Sequence, residues 1–224
     1  DEVMERSAPI IGELEFLLKD IEIPVIAITG GQGKTTVSAI LAAILQNDGK
    51  KIFICGDHGD PLAQYFLNDV KADYILLELS AYQLEHLQNL SPLVTVMTNL
   101  SAPLPERFSK PDDYAKVIMN LLKNKKPTGF LIYNFKEASF RALMPQITTN
   151  KRIFRRKDPS GLGADLAARY KGAYLQSSQE LVWTDSINKE SFILHKVNIF
   201  GPHNKENLMA AVVAAKDFGV SQGI

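Results

Sequence analysis

The residue types best suited to chemistry lie together at positions 30–36, GGQGKTT. A loop that cradles phosphates needs successive backbone N–H groups turned inward, glycines to reach the required dihedrals, and a helix N-terminus behind it. Gly30, Gly31 and Gly33 supply that path around Gln32. Lys34 adds a mobile positive charge for terminal phosphates, and Thr35, followed by Thr36, offers a hydroxyl where a nucleotide-bound Mg²⁺ would sit. The long form G-x-x-x-x-G-K-[ST] is not met, because position 28 is isoleucine. The expectation is a shorter loop for ATP, with a glycine-rich structural turn as the alternative.

An ATP site of this kind also needs a carboxylate at the carboxyl end of a neighbouring strand to help hold the metal. Glu78 meets that need, following the apolar run Tyr74 to Leu77. Its other reading is a strand-end carboxylate capping the next helix. Glu85 and His86, further along, are better explained as exposed helix positions.

These groups require elements to hold them. Val25 to Ile28, opened by Pro24, is an apolar run rich in β-branched residues that suits a strand covered on both faces. After the loop, Val37, Ile40, Leu41, Ile44 and Leu45 form one stripe of a helix closed by Gly49. Further short strands are predicted at Ile52 to Cys55, Tyr74 to Leu77, Leu93 to Met97 and Phe130 to Tyr133, and a helical stripe runs from Tyr114 to Leu122. This alternation predicts a three-layer α/β fold around a mostly parallel sheet. From about residue 150 to 200 the segments are short and broken by polar turns, as in antiparallel hairpins. They predict a small antiparallel sheet stitched to the main one, with continuation of the large sheet the alternative. Lys205 to Phe218 returns to helix, and positions 11, 14, 17 and 18 mark a short amphipathic helix near the start.

Composition sets outer bounds. The 25 basic and 25 acidic residues cancel, so no global field draws in nucleic acid or an anionic membrane. The clusters Lys123, Lys125, Lys126 and Lys151, Arg152, Arg155, Arg156, Lys157 read as solvated edges, with a polyanion site as the alternative. One cysteine, Cys55, excludes an internal disulfide and a thiolate-rich metal cage, which fits a cytoplasmic protein. No apolar run reaches the roughly 20 residues of a membrane span. Nothing in the pattern sets an oligomeric state.

Three strings carry a family resemblance. ITGGQGKTT resembles the short phosphate loop of the Mur ligases, usually G-T-N-G-K-[ST]-[ST]; LELSAYQLE resembles their second-strand motif; GPHNKENLMAAVVAAKDFG resembles the end of their central domain. LELSAYQLE and GELEFLL are most like the branch that adds D-glutamate to UDP-N-acetylmuramoyl-L-alanine. The resemblance implies residues 1–22 as a lead-in helix and linker from an amino-terminal domain outside this chain. It implies residues 23–224 as the ATP-binding central domain, with a carboxy-terminal domain also outside it. It further implies ATP and Mg²⁺ as cofactors, with a UDP-sugar peptide precursor and an amino acid as substrates in the full-length protein. In that scheme Lys34 contacts the transferred phosphoryl group, Thr35 and Glu78 hold Mg²⁺, and Asn204 and Asn207 lie on the adenine side, with helix capping their alternative.

The sequence also departs from the family. After the T-N strand end the family usually reads D-H-L-D-R, its histidine helping to ligate a second metal, whereas Leu100 to Arg107 here include Pro103 and Leu104. Four residues past the position of Tyr114, where the family commonly places a carbamylated lysine, stands Ile118. Lys116 is turned away by about 200° of helix. The G-N-I-G segment becomes Gly56, Asp57, His58, Gly59, and Gln32 replaces the loop asparagine. Asp57 and His58 are the candidates to replace a lost ligand. The expected function is an ATP-dependent amide-bond ligase of peptidoglycan precursor synthesis. The alternative is a related nucleotide-binding protein with lost or altered catalysis.

Overall fold

The structure, a computed structural model, describes residues 11–100, 129–136, 149–197 and 200–220, with single positions 113, 116, 117, 119, 121, 122, 141, 142, 145 and 147. Pro103, Leu104, Tyr114 and Ile118, like Lys123, Lys125 and Lys126, lie outside the described residues.

Strands β1 (Val25–Thr29), β2 (Ile52–Gly56), β3 (Tyr74–Leu79), β4 (Val94–Met97), β5 (Phe130–Asn134), β6 (Asn150–Arg155), β7 (Gly172–Ser177), β8 (Glu180–Thr184) and β9 (Lys189–Ile193) make one sheet. Its order is β2-β3-β1-β4-β5-β6-β7-β8-β9. Pairing is parallel from β2 through β7 and antiparallel from β7 to β9. The antiparallel strands expected over 150–200 are therefore present, and they extend the main sheet. Within that range, Asn150–Arg155 departs from the hairpin expectation, since it pairs in parallel with both β5 and β7.

Alternation along each strand makes the three layers. On β1, Val25 and Ala27 face one core, shared with α1 (Glu13–Leu18) and α4 (Ala81–Glu85) through Leu14, Leu18 and Leu84. Ile26 and Ile28 face the other, shared with α2 (Lys34–Asn47). All five β1 positions are buried, as a strand covered on both faces requires. Beyond α3 (Ala63–Leu67) and a short helix α5 (Ala164–Ala168), the chain closes with α6 (Pro202–Asp217). From Glu206 to Ala215 every residue of α6 is buried. A run of alanine and valine lets it pack against both α2 and the sheet with no solvated stripe in that stretch.

The expected amphipathic helix near the start forms over six residues, burying Leu14 and Leu18 and leaving Ile11 exposed. Its carboxylates tie it to the domain. Glu13 accepts from Ala63 N at 3.1 Å, and Glu15 accepts from Gln88 N at 2.9 Å.

The crossovers from β1 and β4 leave in opposite directions along the sheet, so the loops after these strands flank a topological switch point. Those loops are 30–33 and the segment opening at Thr98.

Candidate phosphate-binding site

Gly33 sits at φ +86° as the residue before α2. A β-carbon there would fall 2.4 Å from Asn207 Oδ1, so only glycine permits both the backbone turn and this approach of α6. The loop is pinned from β4. Gly31 N donates to Asn99 O at 3.2 Å, and Gln32 N donates to Asn99 Oδ1 at 3.2 Å. In return Asn99 Nδ2 and Thr98 Oγ1 donate to Gln32 O at 2.8 and 2.6 Å.

Past this anchor α2 begins, and its first turn carries the chemistry. Lys34 Nζ lies 3.3 Å from Gly30 O and 3.2 Å from Asp57 Oδ2. Thr35 Oγ1 donates to Glu78 Oε2 at 2.9 Å. Glu78 is 1% exposed, at the end of β3. The cap of α4 is supplied by Ser80 and Gln83 in a reciprocal capping box, so Glu78 is not used as a helix cap.

On the other flank a cavity of about 220 Å³ is lined by Gln32, Gly33, Thr36, Asn204 and Asn207 among others. Asn204 donates to Phe200 O at 2.9 Å, and Asn207 Nδ2 reaches Asn204 Oδ1 at 3.5 Å. Beneath them Glu206 is held by Asn134 Nδ2 at 3.2 Å and by the Arg156 guanidinium. The site residues expected from sequence thus meet on two flanks of one loop: Thr35 and Glu78 on one, Asn204 and Asn207 on the other.

Sequence reasoning missed the grip of Thr98 and Asn99 on the loop and the pairing of Asp57 with Lys34. In the sequence Asp57 stood out only as a candidate to replace a lost metal ligand. His86 lies beside α1, away from the loop. His58 is exposed. Cys55 is fully buried in β2, and burial pushes its thiol up to about 12, which makes it a packing residue at neutral pH. Among the described residues no group of three His, Cys, Asp or Glu side chains is placed to hold a metal ion. In the second basic cluster Arg152 pairs with Asp217 at 2.9 Å and lies over Phe130, Arg155 lies over Phe135, and Lys157 is exposed. No helix among the described residues is long and apolar enough to cross a membrane.

A three-layer domain with a glycine-rich loop at its switch point and a buried carboxylate facing the first turn of the following helix has the form of a phosphate-loop nucleotide-binding domain. The sequence profile of the Mur ligase middle domain matches residues 28–215. The chain belongs to the Mur ligase family and is its central, ATP-binding type of domain. It is 29% identical over 207 residues to the UDP-N-acetylmuramoylalanine–D-glutamate ligase of Desulfatibacillum aliphaticivorans, covering 92% of this chain and 44% of that protein. The enzyme of the same name from Bdellovibrio bacteriovorus is 28% identical over 224 residues, 99% of this chain and 48% of its own. The chain therefore spans just under half the length of these relatives. Among solved structures, MurF ligase from Thermotoga maritima in complex with ADP superimposes with a TM-score of 0.69 at 20% identity, over 94% of this chain and 49% of that one. A UDP-N-acetylmuramoyl-L-alanyl-D-glutamate–2,6-diaminopimelate ligase gives 0.70 at 19% identity, over 92% and 46%. Both likenesses bear on the fold.

Proposed function

We propose that this chain is the ATP-binding domain of a cytoplasmic carboxylate–amine ligase of peptidoglycan precursor synthesis. The full-length protein would join D-glutamate to UDP-N-acetylmuramoyl-L-alanine. The observation that carries the reading is the Thr35–Glu78 pair, 2.9 Å apart beside the loop of a Mur ligase central domain. The identity of the amine and acceptor rests on the relatives named above. In this reading residues 1–22 lead in from an amino-terminal domain that holds the UDP-sugar, and 23–224 form the central domain. A carboxy-terminal domain presents the amino acid.

A hydroxyl and a carboxylate oxygen fit magnesium, which takes few protein ligands and keeps its remaining positions for water and phosphate. Thr35 and Glu78 would hold it, and when bound it supplies positive charge against the nucleotide phosphates. Lys34 would meet the transferred phosphoryl group, and the backbone of Gly30, Gly31, Gln32 and Gly33, with Thr36, would shape the cradle. Asn204 and Asn207 can donate to and accept from a purine edge across the neighbouring cavity. The substrate carboxylate oxygen attacks the terminal phosphorus as the bond to ADP breaks. The amine then attacks the acyl carbon, phosphate leaves, and the nitrogen loses a proton to give the amide.

A second reading, nucleotide binding with lost or altered catalysis, is favoured by Pro103, Leu104 and Ile118 at positions where the family usually places metal ligands. Phosphate release by the full-length protein separates the two. The ligase reading expects release only when ATP, UDP-N-acetylmuramoyl-L-alanine and D-glutamate are all present, each omission abolishing it. ATP binding without release across varied donors, amino acids and Mg²⁺ or Mn²⁺ would sink it. The 224-residue chain alone is expected to show no ligation, because orientation of two further substrates supplies much of such a rate.

A further inference from the structure

The phosphate cradle carries an unusual charge balance. Lys34 is its one ammonium among the described residues of the first turn, and it is already paired with Asp57 at 3.2 Å, with side-chain exposures of 12% and 28%. Asp57 is held there by its own backbone, whose N–H donates to Glu78 O at 2.8 Å. Two carboxylates, Asp57 and Glu78, therefore stand beside one lysine. The N-terminus of α2 adds about half a positive charge, which leaves this flank of the cradle negative, while Lys136 lines the cavity on the other flank. Nor are all loop amides free to compensate, since Gly31 N and Gln32 N are committed to Asn99.

A bare polyphosphate entering this cradle must take Lys34 from Asp57 and then lie next to two like charges in a partly buried space. The same nucleotide complexed with a divalent cation carries two fewer negative charges, and its cation faces Glu78 and Thr35. We propose that Asp57 is a charge filter: it occupies the Lys34 ammonium in place of a phosphate and admits nucleotide as its divalent-metal complex in preference to the free anion. Asp57 is a positioning residue that acts through Lys34. The proposal rests on the reading of this loop as a nucleotide site.

Calorimetric titration of the 224-residue chain with ATP and with inorganic tripolyphosphate, each in excess Mg²⁺ and in EDTA, tests it. Asp57→Asn keeps the backbone bond to Glu78 O and removes the charge. Metal-free binding of both probes should tighten about 10-fold, and Mg²⁺-complexed binding by less than about 3-fold. Asp57→Glu should restore the wild-type preference, which a loss of packing alone would not predict. Should Asp57→Asn unfold, Asp57→Ser carries the same expectation. An unchanged ratio of metal-free to metal-complexed affinity overturns the proposal. Selective weakening of the Mg²⁺ complex also overturns it, and makes Asp57 a metal ligand instead. Failure of the wild-type chain to bind ATP in either form removes the nucleotide-site reading itself, an outcome separate from any behaviour of the variants.

Discussion

Lys34→Ala is expected to weaken binding of Mg²⁺-ATP by about 1–3 kcal/mol, roughly 5- to 150-fold in Kd. The upper part of that range is favoured by the surroundings of the side chain. Removing the ammonium deletes a charge-assisted contact to phosphate, and it also strips Asp57 of its partner at 3.2 Å. The loop would then present two carboxylates and no lysine to an anion. The fold should survive, because the side chain packs against the loop rather than within either apolar core. Titration calorimetry together with a thermal unfolding scan checks both halves. Undiminished affinity in a folded variant would remove the phosphate role of the loop.

A second large effect is expected far from the ligand. Gly172 opens β7 at φ +145°, and a β-carbon there would stand 1.8 Å from Ile153 O. That carbonyl belongs to β6 and accepts from the Tyr170 hydroxyl at 2.9 Å, so it is hemmed in and cannot retreat freely. Gly172→Ala combines a backbone conformation that side chains rarely adopt with a clash against main chain, a loss of about 3–5 kcal/mol. For a domain of this size that lowers the unfolding midpoint by roughly 10 °C. The position matters because β6 and β7 share only a short register, Ile153 to Arg155 against Gly172 to Tyr174, and the antiparallel strands join the sheet through it. Urea unfolding of the variant within about 1 kcal/mol of the parent would show that the strands part and reseat without cost.

Most of the framework was legible because its signals are local. The β-branched run at Val25 to Ile28 marked a doubly covered strand, and the stripe from Val37 to Leu45 marked the face of α2 that meets the sheet. The direction of β6 was not legible. Its residues fit a hairpin as well as a crossover, and the choice is made by the edge of β5 waiting to be paired. In the site, Lys34, Thr35 and Glu78 could be named from their types and flanking elements. Asp57 could be suspected only as a spare ligand, since its nearness to Lys34 depends on β2 and β1 being separated by one strand in the sheet. The grip of Asn99 on Gln32 spans 67 positions and has no periodic trace.

The burial of α6 bears on the order in which the molecule can be completed. Residues 202–217 come late in the chain yet cover the face formed by Ile132, Phe154 and Ala173, and pack against α2. While this domain is being synthesised, that part of the apolar face stays wet until α6 leaves the ribosome, even though β1 to β9 have already emerged. The growing chain is thus a sheet with one face covered only in part, by α2, a state prone to sticking to other chains. Nascent chains stalled before residue 201 should bind a hydrophobic dye and yield to protease, and those released after residue 220 should do neither. Equal resistance in the two would mean the sheet closes without its final helix.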